Sequence, residues 1–153
     1  MAGADLVSVL GGVDLFQGLS TKVLGQIAER GHEADYAPGE VVIVQGDSVE
    51  GFKAFAPGGA EMHVVLLGTA RVDVNGQTHA VLGAGSYFGE ISLIDGRPRS
   101  ADVVAGEGGL RTLALSKWTF EDLLEKHPEI AVPMLRVLAA RLRADEEPPA
   151  DAG

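Results

Sequence analysis

The stretch Met62-His63-Val64-Val65-Leu66-Leu67-Gly68-Thr69-Ala70-Arg71-Val72-Asp73-Val74-Asn75-Gly76-Gln77-Thr78-His79-Ala80-Val81-Leu82 decides the class of fold. Met62–Leu67 is an apolar run that reads as a strand, and Gly68 reads as a turn. Thr69–Val74 then alternates apolar Ala70, Val72 and Val74 with Arg71 and Asp73, the period of a half-buried strand. Asn75-Gly76 suits a tight hairpin, because both central positions must tolerate positive φ, and Gln77–Leu82 is the return strand. Upstream, Pro38-Gly39 separates Glu33–Tyr36 from the β-branched run Glu40–Gln45. Downstream, Pro98–Val104 and Leu110–Leu115 supply two further strands. Many short strands divided by turn signals predict a mainly β protein, an antiparallel β-roll or jelly-roll-like barrel.

Helices are expected at both ends. Ser20 caps a helix over Thr21–Arg30, whose apolar face is Val23, Leu24, Ile27 and Ala28, and Gly31 ends it. Ser116 caps a second helix through Lys126, and His127-Pro128 punctuates the chain before a third. That last helix carries Ile130, Leu135, Leu138 and Leu142 near one stripe and is expected to serve as a C-terminal helical lid, with Pro133 kinking or delaying its start. Trp118 and Phe120 read as packing anchors. The organisation expected is an N-terminal extension over 1–12, one domain over 13–144 and an acidic, proline-rich disordered tail over 145–153.

Composition narrows the function. Hydrophobic residues at 46% and charged residues at 22% are the balance of a globular protein with a proper core in 153 residues. No apolar run reaches membrane-spanning length, and Leu6–Val13 follows Asp5 with no Lys or Arg before it, unlike a secretory signal. The mature protein is therefore expected to be the whole chain, located in the cytoplasm. Zero cysteines exclude disulfides, thiol catalysis and thiolate metal sites. A net charge of −10 repels a phosphate backbone at long range, so DNA is not an expected partner, and without a spanning apolar run neither is a membrane. A small anionic ligand would need a focused pocket of donors.

One segment reads as neither ordinary strand nor ordinary turn, namely Gly85 through Val103. A strand leads into Gly89, where the backbone must bend or approach something closely. Glu90–Asp95 is long enough for about one helical turn, with Ile91, Leu93 and Ile94 as apolar anchors; Gly96 ends it and Pro98 resets the chain. The unpaired N–H groups that open a helix suit phosphate, and Arg99 offers a guanidinium fork matched to two phosphate oxygens.

This segment closely resembles the phosphate-binding cassette of cyclic-nucleotide-binding domains, the family of catabolite activator proteins and of regulatory subunits of protein kinase A. The motif is Phe88-Gly89-Glu90, two variable residues, Leu93, then Pro98-Arg99-Ser100-Ala101. Leu15-Phe16 through Leu19-Ser20, Pro38-Gly39-Glu40, Gln45-Gly46-Asp47, Gly68 and the late helices resemble the family too, so the likeness runs from Val13 to Arg143 with the cassette at 88–103. The resemblance implies that Glu90 accepts a hydrogen bond from the ribose 2′-hydroxyl and that Arg99 pairs with the exocyclic oxygens of a cyclic phosphate. Phe88, Gly89, Ile91, Ser92, Ser100 and Ala101 complete the implied site, with backbone N–H groups near Gly89, Ser92 and Ser100 in the cradle. Ser100 after the cassette arginine resembles bacterial cyclic-AMP binders, whereas threonine there often accompanies cyclic GMP; cAMP is thus the favoured ligand, with cGMP the alternative. The implied role is a ligand-responsive regulatory module, not an enzyme. Because an acidic tail, not a helix-turn-helix, follows Arg143, it would act on a separate effector protein or buffer the nucleotide, and the stripe of Leu135, Leu138 and Leu142 could cap the base or dock on a partner, a second copy in a homodimer included.

Blander readings compete. Glu90 and Arg99 can satisfy each other as an internal salt bridge, leaving a degenerate, ligand-free domain that serves protein interaction. Arg97 reads as an exposed loop charge. The 4 histidines, His32, His63, His79 and His127, do not stand at metal-ligand spacing, so each is expected to be a surface or structural residue with no metal bound. Between Gly46-Asp47 and Glu61-Met62 the chain carries about ten residues more than the family's usual turn; Phe52, Lys53 and Phe55 read as part of a surface loop there.

Overall fold

The computed structural model describes residues 3–51 and 60–146. Phe52, Lys53 and Phe55, and nearly all of the tail expected at 145–153, lie outside the described residues. Helices α1 (Gly3–Gly11) and α2 (Thr21–Arg30) precede six strands: β1 (His32–Tyr36), β2 (Val41–Ile43), β3 (Glu61–Val74), β4 (Gln77–Leu82), β5 (Tyr87–Phe88) and β6 (Asp102–Ser116). Helix α3 (Glu90–Asp95) interrupts them between β5 and β6, and α4 (Lys117–Lys126) and α5 (Ala131–Glu146) close the chain. Local chemistry sets the helix ends. Ser20 Oγ accepts from Val23 N at 3.2 Å and Ser116 Oγ accepts from Thr119 N at 3.2 Å, each satisfying a donor the first turn cannot. Pro128 opens a 3-10 turn over Pro128–Ile130 that runs into α5, and Pro133 falls in the first turn of α5, where its missing N–H costs nothing.

The sheet is antiparallel and rolled, with order β1-β6-β3-β4; β2 pairs β6 and β5 pairs β3. The expected antiparallel roll is present, as an open sheet and not a closed barrel: among the described residues no pairing joins the outer strands β1 and β4. The reason lies in two long strands. The runs read as Met62–Leu67 and Thr69–Val74 are one strand, β3, and the run read as Leu110–Leu115 belongs to a single β6 that begins at Asp102. Each long strand serves two or more partners, β3 pairing β5 at 63–64 and β4 at 70–74, so the sheet curls rather than closing. Bulges between Val65 and Leu67 and between Gly68 and Ala70 supply the bend. Gly68, at φ 82°, sits inside the strand; a Cβ there would lie 2.1 Å from Gly109 O, so only glycine lets these backbones cross.

Two cores result. One packs α1, α2, α4 and α5 against β3 and β6 through Leu10, Ile27, Met62, Leu113, Phe120 and Met134. Leu6 and Leu10 of the segment expected as an extension are buried in it. The second lies inside the roll, around Ile43, Val65, Phe88, Val103 and Leu110. Phe120 is the anchor expected of it, but Trp118 is 56% exposed: these two helical positions point apart, and only one faces the core.

Candidate functional site

The cassette is positioned by its neighbours on β3. His63 pairs in register with Phe88, so β5 delivers the chain to Gly89 directly over Glu61 and Met62. Gly89 adopts φ 87°, and a Cβ there would come within 3.0 Å of Glu61 O, which accounts for glycine by both conformation and space. The chain then coils into α3, whose Glu90, Ser92 and Leu93 are buried. Ile94, read as an anchor, is 51% exposed, since so short a helix can bury only one face. Gly96 ends α3 at φ 70°, and Asp95 Oδ1 accepts from Arg97 N. Next, Arg99 N donates to Asp47 O at 2.8 Å and Gly46 N donates to Arg99 O at 2.8 Å, which is why Gly46-Asp47 and Arg99 belong to one structure.

Arg99 is buried. Its Nη1 donates to Gly89 O at 2.8 Å and its Nη2 to Glu61 O at 2.8 Å, so carbonyls hold the fork in place. Burial draws its pKa below the ordinary arginine value, against the pull of the Glu61, Glu90 and Asp47 carboxylates. Glu90 is also buried, and its Oε1 lies 3.5 Å from Arg141 Nη1 on α5. Burial raises the Glu90 pKa; a hydrogen bond from its own backbone N–H and the charges of Arg141 and Arg99 oppose the rise.

These groups share a cleft of about 630 Å³, within the size range of small-molecule sites. Phe88, Gly89, Glu90, Ile91 and Ser92 line it from β5 and α3. Arg99, Ser100 and Ala101 line it from the segment before β6. Every residue that the cassette motif singled out as a ligand contact therefore meets at one concavity. Three features escaped the sequence reading. Arg141 and Ala144, not the leucine stripe, are the α5 residues that face the cleft, while Leu135 and Leu142 are exposed. The hairpin contributes Val72, Val74, His79, Ala80 and Leu82 as a second wall. Behind the cassette, His63 is fully buried, stacked on Phe88 at 4.9 Å between ring centroids, with Nδ1 2.8 Å from Thr112 Oγ1 and Nε2 without a hydrogen-bond partner. Burial pushes its pKa down to about 4, helped by the Arg99 and His32 charges and opposed by Glu61.

Comparison with known proteins agrees with this geometry. Residues 33–127 match the family model described as cyclic nucleotide-binding domain, and the chain belongs to that family. It is 36% identical over 114 residues to the cAMP-dependent protein kinase regulatory subunit of Blastocladiella emersonii, an alignment covering 73% of this chain and 26% of that relative. The structure resembles the crystal structure of Thermus thermophilus catabolite activator protein with a TM-score of 0.71 and 31% identity, covering 86% of this chain and 59% of that one. It also resembles a second cyclic-nucleotide-binding domain of a protein kinase A regulatory subunit, a structure with Sp-2Cl-cAMPS bound, with a TM-score of 0.74 over 98% of each chain; at 19% identity that likeness is one of fold. No helix among the described residues is long and apolar enough to cross a membrane.

Proposed function

We propose that this chain binds a cyclic nucleotide, cAMP in preference to cGMP, in the cleft between the cassette and the β3–β4 hairpin. It works in the cytoplasm as a ligand-responsive module that acts through another protein and not as an enzyme. One observation carries the reading: a buried carboxylate and a buried guanidinium, Glu90 and Arg99, line the same roomy cleft. A phosphodiester anion is drawn to the buried positive charge of Arg99, and a ribose hydroxyl can donate to the Glu90 carboxylate beside it. Ser100 beside Arg99, as in bacterial cAMP-binding relatives, supports cAMP. The Arg141–Glu90 contact supports responsiveness, because a ligand that takes Glu90 alters what holds α5 in place; the shift is limited by the ligand's differential affinity for the two arrangements. Exposed Leu135 and Leu142 on α5 support docking on an effector or on a second copy.

The same Arg141–Glu90 contact favours a second reading, in which a protein cation already compensates the carboxylate and the domain serves interaction without ligand. Calorimetric titration with cAMP and with cGMP separates the two. Saturable one-to-one binding by wild type, tighter for cAMP and lost in Arg99→Ala while the variant keeps its circular dichroism, is the expected result. Heat-silent titrations with both nucleotides sink the ligand-binding reading.

A further inference from the structure

From the β3–β4 hairpin, on the ligand-binding reading of the cleft, we infer that His79 is a specificity-determining residue that hydrogen-bonds the edge of the nucleobase. The ladder between these strands pairs Val72 with Ala80 and then Asp73 with Thr78. Val72 and Asp73 are consecutive, so His79 is the extra residue of a β-bulge on β4. In a regular strand neighbouring side chains point to opposite faces; a bulge breaks that alternation and re-aims a side chain. Here both His79 and Ala80 line the cleft. The bulge thus adds an imidazole to a wall that is otherwise Val72, Val74, Ala80 and Leu82.

Chemistry assigns that wall its occupant. Glu90 and Arg99 lie on the cassette, whose β5 pairs β3 at 63–64, whereas the hairpin pairs β3 at 70–74. A nucleotide whose ribose and phosphate are taken by the cassette turns its flat, apolar-faced base toward the hairpin. Valine, alanine and leucine can sandwich any purine without telling one from another. A ring carrying one N–H donor and one acceptor nitrogen can read the donor–acceptor pattern that separates adenine from guanine. No described residue makes a hydrogen bond or ion pair with the His79 side chain, so both nitrogens remain available.

The test is a pair of calorimetric titrations, cAMP and cGMP, on wild type, His79→Ala and His79→Phe. The ratio of the two affinities is expected to move about five- to tenfold in both variants, the value of one neutral hydrogen bond, while both nucleotides still bind. The phenylalanine variant keeps a flat ring without the nitrogens. A wild-type ratio in His79→Phe overturns the hydrogen-bonding role, and ratios within twofold of wild type in both variants overturn the assignment altogether. Loss of fold lowers both affinities together and leaves the ratio in place, so the ratio is the readout. Wild type binding neither nucleotide would instead topple the reading of the site, and the His79 assignment with it.

Discussion

The two walls of the cleft are built on opposite principles. The cassette wall is buried, charged and held by backbone: Arg99 is clamped by two carbonyls, Gly89 has no room for a side chain, and His63 is packed behind Phe88. The hairpin wall is apolar, with a two-residue turn at Asn75-Gly76 and an exposed His79 on a bulge. On the proposed reading, the difference assigns binding energy and selectivity to separate elements of one site. Charge that is buried and pre-positioned costs little reorganisation when an anion arrives, whereas an exposed wall is free to vary without upsetting the fold.

Arg99→Ala gives the largest expected effect. Removing two charge-assisted contacts is expected to weaken nucleotide binding at least about a hundredfold by calorimetry, against a five- to tenfold change in ratio at His79. A loss smaller than that at His79 would invert the comparison.

Acid sensitivity probes the interior of the cassette wall. The unfolded chain takes up a proton at His63 near pH 6.5, while the folded chain resists until about pH 4. Stability is therefore complete above pH 6.5 and is lost as pH falls toward 4, by about 3 kcal/mol if that gap is expressed in full. Urea denaturation of wild type and His63→Leu across this window is expected to show the loss in wild type alone; parallel curves would contradict it.

Glycine substitutions sharpen the contrast next. Gly89→Ala meets Glu61 O at 3.0 Å as well as a positive φ, while Gly76→Ala at the hairpin tip has the same φ problem in open space. Denaturant unfolding is expected to place the first about 2 kcal/mol below wild type and the second about 1 kcal/mol below. Equal costs would show the cassette wall to be no tighter than the hairpin.

Arg141→Ala should do least. Its guanidinium is half in solvent, so stability is expected to fall by only about 0.5 kcal/mol. Carbon-detected NMR is expected to show the Glu90 carboxyl titrating at higher pH once that positive charge is gone. A downward move would mean that Arg141 does not act on Glu90.

Much of this was legible because its causes are local. Ser20, Ser116, Asn75-Gly76 and the span Glu90–Asp95 each declare their structure within a few residues, and all appear where the sequence puts them. What could not be read depends on distant backbone. Gly68 looks like a turn until Gly109 is seen to cross it, and that crossing makes β3 one strand and leaves the roll open. Arg99 is held by carbonyls of Gly89 and Glu61, which leave no mark in side-chain identity. His79 carries no sign of its bulge, since the slip belongs to the pairing and not to either strand alone.

Gln45 ties the two walls from beneath. Its backbone N–H donates to Asp102 Oδ1 at 2.7 Å, its side-chain oxygen accepts from Asn75 N at 2.9 Å, and its side-chain nitrogen donates to Asn75 Oδ1 at 3.0 Å. The hairpin tip is thereby stitched to the start of β6, which on the proposed reading leaves α5, joined to the cassette through Arg141 and Glu90, as the part that responds. An optical reporter for the ligand should consequently carry its dye on α5; one grafted at Asn75-Gly76 would cut the stitch and sit on the stationary side of the molecule.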